Sequence, residues 1–227
     1  MDLYIANKNY SSWSLRPWIL LRQLELPFTE RLVPFAADAT WAAFRGFSPT
    51  GRVPCLHDGD VVVWDSLAIV EYVAERHPEV WPADPVARAW ARSAAAEMHS
   101  GFGALRSTCS MTCGQRVRLR EVSPALARDV ARLDELWTEG LGRWGGPFLA
   151  GAGFSAVDAF FAPVGFRWQS YGLSLGLAAT AYAGRLLALP AMGAWYAAAL
   201  AESWRDAAHD ADVAAAGEIT ADLRAPA

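Results

Sequence analysis

The chain has 227 residues, of which 53% are hydrophobic and 19% charged, enough for a core and too apolar for a disordered protein. A formal net charge of −4 argues against a nucleic-acid partner, which needs a basic face. Lys8 is the only lysine, so anion sites here are guanidinium sites, whose fork suits carboxylates.

Residues 2–6 read as a strand. No basic region, apolar stretch and cleavage site run in succession there, so no secretory signal is expected. Asn7 to Ser12 is a polar loop. An apolar helix follows, with Pro17 in its first turn and Trp18, Leu20, Leu21 and Leu24 as apolar positions. Phe28 to Val33 reads as a second strand, and Thr40 can cap a short helix ending at Gly46. Pro54 to His57 and Val61 to Trp64 form a hairpin about Asp58-Gly59. Asp65-Ser66 opens a helix with Leu67, Val70, Tyr72 and Val73 on its apolar face. The order β-α-β-α-β-β-α predicts an α/β layer over residues 1–77.

Pro78, Pro82 and Pro85 mark a linker, and strand signals nearly vanish beyond it. Helical stretches over 86–106, 123–144, from Ser155 onward and around 178–203 predict an all-helical domain over 86–227. The longest uncharged stretches are short and broken, so no membrane span is expected. Cys55, Cys109 and Cys113 fit reduced thiols in a cytoplasm. Cys109 and Cys113, with His99 near, lack the second ligand pair of a structural site, so no metal is expected.

Three short motifs bear on chemistry. Tyr10-Ser11-Ser12-Trp13-Ser14 places hydroxyls at a helix N-terminus, which can cap the helix or stabilise a thiolate. Lowering a thiol from its ordinary value near 8.5 by two units takes about 2.7 kcal/mol, within reach of a helix terminus and a hydroxyl together. In Gly51-Arg52-Val53-Pro54, an ordinary trans proline starts a strand; a cis bond offers the Val53 backbone to a short peptide. Asp65-Ser66 is a cap, or a nest for a carboxylate with Asp65 facing an amine.

The order of these motifs resembles that of glutathione transferases. Tyr10-Ser11-Ser12-Trp13-Ser14 is similar to the Ser-Ser-x-Ser run of the zeta class, which holds maleylacetoacetate isomerases, with Ser11 on the activating hydroxyl and Ser12 as the competing donor. Phe148-Leu149-Ala150-Gly151 with Ser155 and Asp158 resembles the family's capping-box segment, a folding element. Glu97 to Phe102 and Trp195 to Arg205 are similar to bacterial members. Trp13 stands where the zeta pattern has cysteine, Ala39 where it has a polar residue, and Arg167 a turn early for its arginine.

The resemblance implies a thioredoxin-like domain followed by a helical bundle, a homodimer, and glutathione as substrate or cofactor without a metal. Asp65 and Ser66 would meet its γ-glutamyl end, Val53 its cysteinyl backbone, and Arg52 its glycine carboxylate. Attack of the thiolate on a small, apolar electrophile is the implied reaction. Trp13, Phe102, Arg106, Arg167 and Trp168 are the pocket candidates, and Phe166 and Tyr171 line that pocket or the core. An isomerase of a maleylacetoacetate-like diacid, using Arg16, Arg106 or Arg167, and a weakly catalytic glutathione-binding protein remain open alternatives.

Overall fold

The computed structural model describes residues 1–36 and 39–226. Strand β1 (Asp2–Ile5) turns Leu3 and Ile5 into the core and runs into helix α1 (Ser12–Gln23). That crossover lets β2 (Thr29–Leu32) return parallel to β1, with Asp2 beside Thr29 and Ile5 beside Leu32. Helix α2 (Thr40–Arg45) follows, and Thr40 is its first residue rather than its cap, its Oγ1 accepting from the Ala36 N–H at 2.6 Å.

Strands β3 (Cys55–Asp58) and β4 (Val61–Trp64) complete a sheet of order β2-β1-β3-β4, with β3 antiparallel to both neighbours. Asp58 pairs with Val61, so the hairpin loop is Gly59-Asp60, one residue later than the sequence suggests. Gly59 has φ +62°, as the first position of such a two-residue turn requires. Helix α3 (Ser66–Ala74) closes the thioredoxin-like layer, burying Ile69, Val70 and Val73.

A short 3₁₀ turn (Pro78–Val80) leads to α4 (Pro85–Ser100), whose N-cap Asp84 accepts from the Val86 and Ala87 N–H groups. The helix expected over 86–106 breaks at Gly101-Phe102, where Phe102 is left-handed at φ 54°, and resumes as α5 (Gly103–Thr108). Helices α6 (Pro124–Trp144), α7 (Ala156–Tyr171), α8 (Leu177–Leu187) and α9 (Pro190–Ala201) follow. Helix α7 is buried on nearly every side and packs against α1, α4 and α8. Burying each of Phe160, Phe161 and Phe166 is worth about 1.5–3 kcal/mol.

The second region is mainly helical but not wholly so. Strand β5 (Gln115–Leu119) pairs antiparallel with β6 (Gly217–Asp222), which follows directly on α10 (Ala207–Ala216). Their segments are short and a hundred residues apart, so neither shows a hairpin signal. This ribbon brings the C-terminal segment back beside Tyr10, whose hydroxyl donates to Asp210 at 3.0 Å and accepts from Arg224 at 2.9 Å. Among the described residues no helix is long and apolar enough to cross a membrane.

Candidate functional site

Two joined clefts lie where the sheet's loop end meets the helices. The smaller, about 250 Å³, is lined by Trp13, Thr50, Arg52, Val53, Pro54, Trp64, Asp65 and Ser66. The larger, about 650 Å³, shares Trp13, Arg52 and Val53 and adds Ser11, Ser12, Arg106 and Arg167.

In the smaller cleft the Val53–Pro54 peptide is cis. Among the described residues the Val53 N–H and C=O have no hydrogen-bond partner in the protein, although β3 starts two residues on. That is a short, unpaired stretch of strand edge facing a cavity. Gly51 before it has φ +62°, and a Cβ there would lie 2.8 Å from the Trp41 ring, so only glycine fits. Asp65 caps α3, its Oδ1 accepting from the Leu67 N–H at 2.8 Å. Its backbone sits at φ 75°, ψ 139°, a conformation costing a non-glycine residue about 1–3 kcal/mol. Ser66 is buried and its Oγ accepts from Arg16 at 3.5 Å.

Ser11 is the N-cap of α1, its Oγ accepting from the Ser14 N–H at a long 3.4 Å. The same Oγ donates to Ser14 Oγ at 2.8 Å, and Ser14 Oγ also accepts from the Ala6 N–H at 3.2 Å. Both hydroxyls rotate freely, so reversing the pair lets Ser14 donate and frees the Ser11 proton for an anion in the cleft. Ser12, the first helical residue, lines the cleft beside it without capping.

The loop bearing these serines is held from the helical region. Glu202 accepts from the Lys8 and Asn9 N–H groups at 2.6 and 3.2 Å, and Trp195 Nε1 donates to the Lys8 carbonyl at 2.9 Å. Asn9 Oδ1 in turn accepts from the Cys113 and Gly114 N–H groups. The thiols near this loop are not reactive ones. Burial pushes Cys55 up to about 11, Cys109 up to about 12, and Cys113 further. Among the described residues no cluster of histidine, cysteine or carboxylate side chains suits a metal.

The larger cleft is cationic. Trp13 is clasped between Arg16, 4.2 Å from its ring centre, and Arg106, at 4.4 Å. Arg106 donates to the His99 carbonyl at 3.0 Å, and the buried Arg167 donates through Nε to the Cys109 carbonyl at 2.8 Å. Among the described residues none of the three has a carboxylate within 4 Å. Burial, then the charges of Arg106 and Arg167, push Arg16 down to about 9; burial brings Arg167 down to about 10. All stay charged at neutral pH.

Five sequence candidates lie elsewhere. Arg16 is buried behind Trp13 and lines neither cleft. The left-handed turn at Phe102 sends its ring into the core, edge-on to Phe161 at 6.5 Å. Trp168 follows Arg167 on α7, and one residue turns a helical side chain about 100°, so Trp168 packs on the core instead of the cleft. Phe166 stacks on Tyr196, and Tyr171 donates its hydroxyl to the Ser110 carbonyl. The sequence reading missed Phe35, Met111 and His209 in the cleft wall. Only the Asp206-x-x-His209 spacing offered a signal for the last, and nothing local ties it to this cleft.

Residues 10–76 match the glutathione S-transferase N-terminal domain family, the stretch that holds Ser11, Val53, Asp65 and Ser66. This chain carries a glutathione S-transferase N-terminal domain. A probable maleylacetoacetate isomerase of Caenorhabditis elegans is 29% identical over 107 residues, 46% of this chain and 49% of that protein. The chain spans about half or less of the curated relatives it first matches. Among solved structures, a Burkholderia glutathione transferase homolog with bound glutathione superposes with a TM-score of 0.65 at 22% identity, over 87% of this chain and 96% of that one. The Methylobacterium extorquens maleylacetoacetate isomerase, with bound malonate and glutathione, gives 0.63 at 23% identity over 86% and 96%. These likenesses extend the shared fold through the helical region.

Proposed function

We propose that this protein is a cytoplasmic, homodimeric, zeta-like glutathione transferase that ionises the glutathione thiol and directs it at an electrophile in the larger cleft. The observation that carries the reading is the unpaired Val53 backbone facing the same cleft as Asp65 and Ser66. A γ-glutamyl peptide needs that set: a strand edge for its cysteinyl unit, a carboxylate for its amine, and a hydroxyl at a helix N-terminus for its carboxylate. Arg52, at the seam of the two clefts, is the cation available for the glycine carboxylate. Calorimetric titration of glutathione is expected to give binding that Asp65→Ala weakens by ten-fold or more. Unchanged affinity in that variant would remove the assignment.

The acceptor is a carboxylate-bearing electrophile rather than a purely apolar one. Arg106 and Arg167 border the larger cleft with guanidinium nitrogens left over after their single backbone contacts, and without a nearby acid. This favours the isomerase alternative, or conjugation of an unsaturated acid, over a haloalkane-type acceptor. Arg167→Gln is expected to raise KM for a maleyl-type diacid at least ten-fold while leaving a neutral chloronitrobenzene acceptor within two-fold. Equal losses on both acceptors would return the reading to an apolar pocket.

A further inference from the structure

His209 is the one imidazole on the wall of the larger cleft among the described residues, and no step so far uses it. It comes from α10, near the far end of the chain, and faces the same space as Ser11 and Ser12. Its ring lies between those of Tyr10, centred 5.1 Å away, and Phe35, at 5.0 Å. Tyr10 immediately precedes Ser11, so the imidazole is held against the thiol-activating loop.

Asp206 orients it. One carboxylate oxygen, Oδ1, accepts the His209 backbone N–H at 3.0 Å and lies 2.9 Å from ring Nδ1. Burial alone would raise the Asp206 carboxyl, but hydrogen bonds from the His209 backbone and ring bring it below the usual carboxylate range, so it is ionised. A carboxylate only accepts, which puts the hydrogen on Nδ1 and leaves the neutral ring's lone pair on Nε2. Among the described residues Nε2 has no protein partner. An imidazole oriented by an acid, with its second nitrogen unpartnered and the residue on the wall of the cleft that Ser11 lines, is the arrangement of a general base.

We propose that His209 Nε2 accepts the thiol proton when glutathione binds, an inference that rests on the glutathione reading of the site. The S–H bond breaks with its electron pair left on sulfur, and an N–H bond forms at Nε2. The resulting imidazolium is balanced by Asp206. When sulfur adds to a carbon–carbon double bond, the same proton passes from Nε2 to the carbon that has gained the electron pair, and the ring returns neutral.

The neighbouring charges leave this role to Asp206. Asp210 on the same helix is taken up by Arg224, at 2.7 Å, and by the Tyr10 hydroxyl. Glu202 is committed to the Lys8 and Asn9 backbone. Arg52, Arg106 and Arg167, which border the same cleft, favour the thiolate.

The test is a proton inventory. Glutathione is titrated by calorimetry in buffers of different ionisation heat, about one pH unit above the ordinary imidazole value, with thiolate absorbance read in parallel. In the wild type, thiolate should form with nearly no proton released to buffer. His209→Phe keeps a ring between Tyr10 and Phe35 but has no base, so each thiolate should release one proton and the thiolate fraction should fall about ten-fold. Asp206→Asn should fall between the two. A wild type releasing a full proton per thiolate, or a His209→Phe variant matching it in both readouts, overturns the role of His209 while the binding heat and its loss in Asp65→Ala leave the glutathione site standing. Absence of any binding heat in the wild type overturns both.

Discussion

Replacing Ser11 with alanine is expected to raise the pKa of the bound glutathione thiol by one to two units while leaving glutathione affinity within about two-fold. A hydrogen bond to an anion is worth roughly 1.5–3 kcal/mol, and a pKa unit is about 1.4 kcal/mol. At neutral pH the thiolate fraction, and the conjugation rate with it, should fall ten-fold or more and recover as pH rises. The geometry separates Ser11 from its neighbour. Ser11 Oγ is linked through Ser14 Oγ to the Ala6 backbone N–H, a chain that polarises the Ser11 hydroxyl when Ser14 donates to it. Ser12 has no such chain, so Ser12→Ala should shift the thiol by less than half a unit. Thiolate absorbance of the bound complex against pH decides it. A raised value in Ser12→Ala with none in Ser11→Ala would move the activating role along by one residue. The loss in Ser11→Ala is not a loss of the helix cap, because that contact is already long at 3.4 Å.

The α/β half was legible because its signals are local. Alternation in Leu3-Tyr4-Ile5, the Gly59 turn and the Asp65-Ser66 cap each act within a few residues, and the motifs they space out were enough to suggest a glutathione site. What escaped is what depends on contacts across the chain. The β5–β6 ribbon joins Gln115–Leu119 to Gly217–Asp222, and only that pairing carries α10 and His209 back to Tyr10. The side-chain directions of Phe102 and Trp168 escaped for a related reason. Helical spacing tells which residues share a face, but which face meets the cleft is set by the packing of α4 and α7. The rings of Phe102, Phe166, Trp168 and Tyr171 are in or against the core, while Arg106 and Arg167 share the wall of the larger cleft with Trp13, Phe35 and Phe44.

Asp158→Ala is expected to cost about 3–5 kcal/mol of stability and to lower Tm by about 10 °C. Asp158 is fully buried and receives four donors: Leu149 N–H and Tyr182 hydroxyl at Oδ1, Ser155 N–H and hydroxyl at Oδ2. Truncation leaves these groups without a partner in a site water does not reach, and removes the capping box of α7. The carboxyl also has a pH signature. Burial pushes it up to about 6, against the lowering effect of those hydrogen bonds. Between an unfolded value near 3.8 and about 6, the folded protein therefore binds the extra proton. This group's contribution to stability is full below that window and declines as pH rises through it, by roughly 3 kcal/mol for a shift of about two units. Asp158→Asn cannot titrate, so denaturant midpoints between pH 4 and 7 should lose that slope. An alanine variant melting within 2 °C of wild type would show that the four donors find other partners. Because Asp158 holds α7 and α7 carries Arg167, lost activity in Asp158→Ala should track the unfolded fraction, with KM for a diacid unchanged in the molecules that remain folded.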